Sequence, residues 1–186
     1  MFGRLDNKVA IVTGGGRGIG AGIASVFANA GAKVMVATRT ASYGEEAVGE
    51  ITAAGGEAQL TAIDIGSTEA IEQLVAHTIS VWGGIDIMCH NAASFLGGPV
   101  DDYSEEDLET VLAVNLKACF RLTKAVLPSM RERGGGRLLF TSSVTGPRVA
   151  MPGTSYYAAS KGGVNAFIRT ASLELAKENI TVNGIE

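Results

Sequence analysis

Cysteine, proline, histidine and charge are all scarce in this chain. Two cysteines, Cys89 and Cys119, among 186 residues make no disulfide framework. Their apolar neighbours mark both as buried free thiols of a reducing compartment. The two histidines, His77 and His90, stand at no metal-ligand spacing from those cysteines, so no metal is expected. Proline occurs four times against 25 glycines; without a Gly-X-Y period this excludes collagen and points to many tight turns. Charged residues make up only 18% and the formal net charge is −4, which argues against a nucleic-acid binder and against a charged tail. No apolar run approaches membrane-spanning length, so no membrane partner is expected. The opening Met1–Asp6 has no apolar core of the kind a signal peptide needs, and a cytoplasmic protein is the default reading.

What is present is apolar residue, at 46%, enough for one compact domain with a sizeable core and against disorder. Short apolar runs alternate with longer helical patterns. Strands are predicted at 8–13, 33–37, 58–63, 85–89 and 137–142, and a sixth starts at 180–185. Helices are predicted at 18–30, with Ile19, Ile23, Val26 and Phe27 inward, then at 44–54, and at 68–81 with Ile71, Leu74, Val75, Thr78 and Ile79 inward. Ser104-Glu105-Glu106-Asp107 resembles a capping box and opens a long helix to about Arg133, with a bend expected near Asn115 or Pro128. A last helix is predicted at 156–177. Such alternation predicts an α/β fold: a Rossmann-type, doubly wound parallel sheet with helices on both faces, one domain over 1–186.

Thr13-Gly14-Gly15-Gly16-Arg17-Gly18-Ile19-Gly20 lies between the first strand and the first helix, where a phosphate cradle belongs. Gly14 lets the chain turn, Gly18 lets backbone approach a pyrophosphate, and Gly20 lets the helix pack on the sheet. The helix N-terminus then offers free N–H groups. Gly16, Arg17 and Ile19 complete the candidate contacts; a plain structural turn is the alternative. A Walker loop is excluded, since no Gly-Lys-Ser/Thr closes the stretch. The second strand ends Val36-Ala37-Thr38-Arg39-Thr40 without a carboxylate. Arg39 and Arg17 therefore favour NADP(H) over NAD(H), unless they are ordinary solvated arginines. Asp64, followed by Ile65, is placed either to meet the adenine amino group or to cap the helix near Thr68.

Taken together, these features resemble a short-chain dehydrogenase/reductase of the compact, single-domain type, along essentially the whole chain. Thr13-Gly14-x-x-x-Gly18-x-Gly20 matches that type's cofactor motif; the extended type has glycine where this chain has Arg17. His90-Asn91-Ala92-Ala93 corresponds to the family's Asn-Asn-Ala-Gly, which implies cofactor contacts at Asn91 and Ala92. The resemblance implies catalytic roles for Asn115, Ser143, Tyr157 and Lys161, and Thr181-Val182-Asn183 fits the family's sixth strand. Ser142 competes with Ser143; the family's spacing to the tyrosine selects Ser143. Tyr157 and Lys161, four apart, share one helix face. A tyrosine ionises only near pH 10, and a nearby ammonium favours its phenolate. Tyr157 is then the general acid or base, and Lys161 also holds the nicotinamide ribose. Ser143 orients the substrate oxygen, and Asn115 positions a water linking Lys161 to solvent. The expected reaction is hydride transfer between NADP(H) and a small alcohol or carbonyl substrate, which the sequence does not identify further.

The chain departs from the family at His90, read as a packing variant with a catalytic histidine as the alternative, and at Ala93, whose side chain narrows the approach to the adenine ribose. The family commonly extends beyond the sixth strand into a lid and a seventh strand, both expected to be absent here. A truncated, non-catalytic nucleotide-binding or interaction protein is the alternative to an active enzyme. The expected partner is a second copy of the chain, in a homodimer or homotetramer built on the helices around 108–127 and 157–175. Val111, Ala118, Phe120, Ala166 and Phe167 are the apolar residues that suggest it.

Overall fold

Alternating apolar and helical segments become a layered sheet. In the computed structural model, which describes residues 4–186, the strands are β1 (Val9–Thr13), β2 (Lys33–Thr38), β3 (Glu57–Ala62), β4 (Ile87–His90), β5 (Gly136–Thr141) and β6 (Ile180–Ile185). Residues 1–3 of the opening segment lie outside the described residues. The strands lie in the order β3-β2-β1-β4-β5-β6, and every neighbouring pair is parallel. This is the Rossmann-type doubly wound order expected from the sequence. The helices are α1 (Gly18–Asn29), α2 (Ala41–Ala53), α3 (Thr68–Trp82), α4 (Glu105–Leu112), α5 (Ala118–Glu132) and α6 (Ser155–Leu175).

β1 is buried at all five positions, as a central parallel strand covered on both faces must be. Its side chains alternate between two cores. Ile11 joins Leu74, Leu122, Phe140 and Val164 from α3, α5, β5 and α6. Val12 joins Ala24, Val36 and Ile51 on the side of α1 and α2. At the lower edge of the sheet the buried Asp86 carboxylate accepts from Arg133 Nε (3.0 Å) and Nη2 (2.9 Å) and from the Val9 N–H (2.9 Å). Burial opposes its ionisation, but the Arg133 guanidinium and the Val9 N–H hold its pKa below the usual carboxylate range.

Two of the expected helix faces and one helix start differ. In α1 the buried residues are Gly20, Ala24 and Ala28, while Ile19 and Val26 are exposed. The helix lies too close to the sheet for large side chains: a Cβ on Gly20 would stand 2.0 Å from the Gly14 carbonyl oxygen. Ile79 of α3 is also exposed, beyond the stripe of Ile71, Leu74, Val75 and Thr78. α2 begins at Ala41 rather than Gly44. Gly44 is a packing residue, because its Cβ would meet Leu60 Cδ1 at 2.2 Å.

The long helix is interrupted at one of the two expected positions. Ser104 caps α4 by accepting the Asp107 N–H (3.2 Å). A π turn over Ala113–Lys117 then brackets Asn115, while α5 runs through Pro128 to Glu132. Of the residues expected on an oligomer face, Val111 and Ala118 are instead fully buried in the core.

The two neighbouring α1 glycines make a paired test. Gly20→Ala is expected to lower the urea midpoint of unfolding, because its Cβ strikes backbone. Gly22→Ala, whose Cβ meets nothing within 4 Å, is expected to stabilise by about 1 kcal/mol through helix propensity. Equal effects at the two positions would refute the close-packed face.

Candidate active site

Connections leave β1 and β4 towards opposite faces of the sheet, so a crevice opens above their C-terminal ends. It is a cleft of about 530 Å³, lined by Gly14, Arg17, Gly18 and Ile19 from the first turn and by Arg39, Asp64 and Ile65 from the ends of β2 and β3. Asn91 and Ala92 follow β4 in its wall, and Tyr157 and Lys161 of α6 close it. Gly16 and Gly20 act from beneath. A Cβ on Gly16 would press on Thr38 and Tyr43 at 3.1 Å. Gly18, at φ +55°, has nothing within 4 Å of where its Cβ would stand, so the cradle has open space for a ligand. The first N–H groups of α1 have no helical acceptor. These features fit a dinucleotide pyrophosphate.

Around the β2 tip, Arg17 and Arg39 are both exposed and both line the cleft. The Arg17 guanidinium lies 4.9 Å from the Tyr43 ring centre. Asp64 Oδ1 accepts the Gly66 N–H (2.9 Å), whereas the cap of α3 is Ser67, which accepts the Ala70 N–H (3.3 Å). Asp64 is therefore a cleft residue and not the helix cap.

Lys161 is the central cation. It is only 2% exposed, and its Nζ donates to the Thr141 carbonyl at 2.6 Å. Burial lowers its ammonium pKa from the ordinary value. Its Nζ lies 5.6 Å from the centre of the Tyr157 ring, one helical turn away. Phe95 also meets Tyr157, edge-on, with ring centres 4.6 Å apart.

Asn115 is buried, and its amide is committed. Nδ2 donates to the Ser94 carbonyl (2.9 Å) and to Ser160 Oγ (3.0 Å), while Oδ1 accepts the Ser94 N–H (2.7 Å). Both amide donors are thus taken by protein groups, and the side chain works as a clasp on the loop after β4. Ser160 in turn donates to the Tyr157 carbonyl (2.7 Å). Ser143 lies two residues beyond β5 and outside the cleft lining; its Oγ accepts the Thr145 N–H (3.0 Å).

The sequence pattern did not reveal a hub beneath the cleft. Thr13 Oγ1 accepts the N–H groups of Asn91 (3.1 Å) and Ala92 (3.2 Å). The same oxygen lies 2.8 Å from His90 Nδ1, and His90 Nε2 lies 3.0 Å from the Val114 carbonyl. A carbonyl only accepts, so Nε2 carries the proton and Nδ1 takes the Thr13 hydroxyl hydrogen. Burial, reinforced by the Lys161 charge, pushes the imidazole pKa down to about 4. His90 is 4% exposed and does not line the cleft, so it is no cleft acid or base. Both cysteine thiols are buried and pushed up to about 12 by that burial, hence unreactive.

The family described as short chain dehydrogenase matches residues 8–186. Versicolorin reductase 1 of Aspergillus parasiticus is 37% identical over 183 residues, covering 98% of this chain and 69% of that protein. A 7α-hydroxysteroid dehydrogenase, solved with NADH and 7-oxoglycochenodeoxycholic acid, superposes with a TM-score of 0.93 at 35% identity, over 97% of this chain and 70% of that one. A metagenomic short-chain oxidoreductase in complex with NADP superposes with a TM-score of 0.91 at 34% identity, over 97% and 81%. Among the described residues no helix is long and apolar enough to cross a membrane, and no group of metal-ligating side chains is found.

The buried imidazole carries a pH signature. Its native pKa of about 4 lies below the unfolded value of about 6.5. The unfolded chain therefore binds the proton first, and its share of stability is complete above pH 6.5 and lost as pH falls towards 4. The urea midpoint of wild type is expected to fall across that window more steeply than that of His90→Gln. Parallel curves would refute the neutral, buried ring.

Proposed function

The chain belongs to the short-chain dehydrogenase/reductase family, and on that premise we propose that it interconverts an alcohol and a carbonyl compound with NADP(H), in preference to NAD(H), as hydride carrier. The carrying observation is the pairing of the Lys161 ammonium with the Tyr157 ring at the end of a cleft that begins in a glycine cradle. When bound, the nicotinamide supplies or removes the hydride. The protein must handle the proton. Tyr157 gives one to the substrate oxygen in reduction and takes one in oxidation. Lys161, held by the Thr141 carbonyl, keeps a fixed positive charge beside that exchange. Ser143 Oγ, which accepts the Thr145 N–H, keeps its own hydrogen to donate to the substrate oxygen. Asn115 holds Ser94 and, through Ser160, the turn of α6 that carries Tyr157.

The preference for NADP(H) rests on Arg17 and Arg39 at a strand tip without a carboxylate. The neighbours include one solved with NADP and one with NADH, so they support a nicotinamide cofactor without choosing between the two. Phe95, 65% exposed beside Tyr157, favours an apolar carbonyl compound. Phe120 is exposed and packs on Phe167 with ring centres 4.5 Å apart, and Leu173 is exposed on α6. These residues support association with a second copy through α5 and α6.

Tyr157→Phe is expected to cut kcat by at least about 10²-fold with NADPH affinity unchanged by fluorescence titration; undiminished turnover would remove Tyr157 from the mechanism. In the same titration wild type is expected to bind NADPH more tightly than NADH. Arg39→Asp is expected to reverse that order; an NADH preference in wild type would overturn the arginine reading.

A further inference from the structure

Two halves of the site are tied by one side chain. The cofactor-facing half comprises the end of β1 and the backbone of Asn91 and Ala92, both gathered on Thr13 Oγ1. The catalytic half comprises the π turn, Asn115, Ser94 and Ser160. His90 stands between them, with one ring nitrogen on each. We propose that His90 is a positioning residue that fixes the Asn115 turn against the cofactor-facing ends of β1 and β4; its catalytic consequence rests on Tyr157 and Lys161 being the reacting pair.

The ring geometry selects this role. Thr13 Oγ1 receives two backbone N–H groups, so its own hydrogen must go to an acceptor. Nδ1 is that acceptor. On the opposite side of the ring Nε2 donates to Val114, the residue before Asn115. Only an imidazole that is neutral and protonated at Nε2 satisfies both sides, and a cationic ring would donate twice and leave the Thr13 hydrogen without a place. Burial beside Lys161 keeps the ring in the neutral form. The π turn, rare within α-helices, is thereby held from outside at two consecutive residues: Val114 by His90, and Asn115 by Ser94 and Ser160. Displacing Val114 displaces Asn115, and with it the support of Ser160 beneath Tyr157.

Two substitutions separate the two contacts. Asparagine reaches the place of Nδ1 and can accept from Thr13, but falls short of Val114. Glutamine reaches the place of Nε2 and can donate to Val114, but leaves Thr13 without its acceptor. His90→Asn is expected to keep the NADPH dissociation constant and lower kcat by about fivefold to tenfold. His90→Gln is expected to weaken NADPH binding by about the same factor while keeping kcat within about twofold. His90→Leu is expected to lose both. Nitrogen NMR of the wild-type ring at pH 7 is expected to show Nε2 protonated and Nδ1 accepting. The proposal is overturned by a ring protonated at Nδ1, or by Asn and Gln variants that lose kcat and NADPH affinity together, in step with their unfolding midpoints. If wild type turns over no carbonyl compound, the reading of Tyr157 and Lys161 fails; the ring tautomer and the NADPH affinities of the two variants then decide the role of His90.

Discussion

The parting of the chain between β1 and β4 is the constraint from which the site follows. Two adjacent parallel strands send their connections to opposite faces, so nothing continues the sheet above their ends. The backbone N–H groups that emerge there, on Asn91 and Ala92, have no ladder partner and cannot be left bare. The Thr13 hydroxyl takes both. That single oxygen turns a topological gap into a rigid rim, and the first turn of α1, drawn against the sheet by Gly20, forms the opposite rim. The cleft is a by-product of satisfying backbone, and this explains why it sits where the strand order reverses.

Two ionisable groups lie beneath this rim, and they cannot both be charged at moderate cost. Lys161 and His90 are each almost wholly buried. Desolvation disfavours the cation of either, and each cation disfavours the other. Lys161 keeps a carbonyl acceptor at 2.6 Å, while His90 offers its Nδ1 lone pair to Thr13 and would lose that bond on protonation. The charge therefore resides on the lysine beside Tyr157, and the histidine becomes a neutral strut. Asp86 makes the corresponding arrangement at the other edge of the sheet, where two donors from Arg133 compensate a buried carboxylate next to β1.

Where sequence reading of local pattern went astray, the cause was distance between layers. Ile19 and Val26 share a helical stripe with Ile23 and Phe27, yet the stripe that faces the sheet is Gly20, Ala24 and Ala28. Periodicity assumes that the largest apolar residues lie inward; here the closest approach needs the smallest ones. Gly44, the local-pattern start of a helix, lies within α2 and leaves room for Leu60. The amide donors of Asn115 go to Ser94 and Ser160, two partners far from it in sequence that spacing does not reveal.

By itself the sequence determined the layered fold, the strand order's class, the glycine cradle and the Tyr157–Lys161 pair. Each of these is written in local chemistry: buried runs of strand length, glycines where backbone must pass closely, and two residues one helical turn apart. Tertiary structure alone decided what depends on the meeting of remote segments. It assigned the α3 cap to Ser67 and left Asp64 to the cleft, it placed Lys161 on the Thr141 carbonyl, and it set His90 between Thr13 and Val114. A hydrogen-bond partner is chosen by where the chain returns in space, and separations of 77 residues for Thr13–His90 and 24 for His90–Val114 leave no trace in spacing or periodicity.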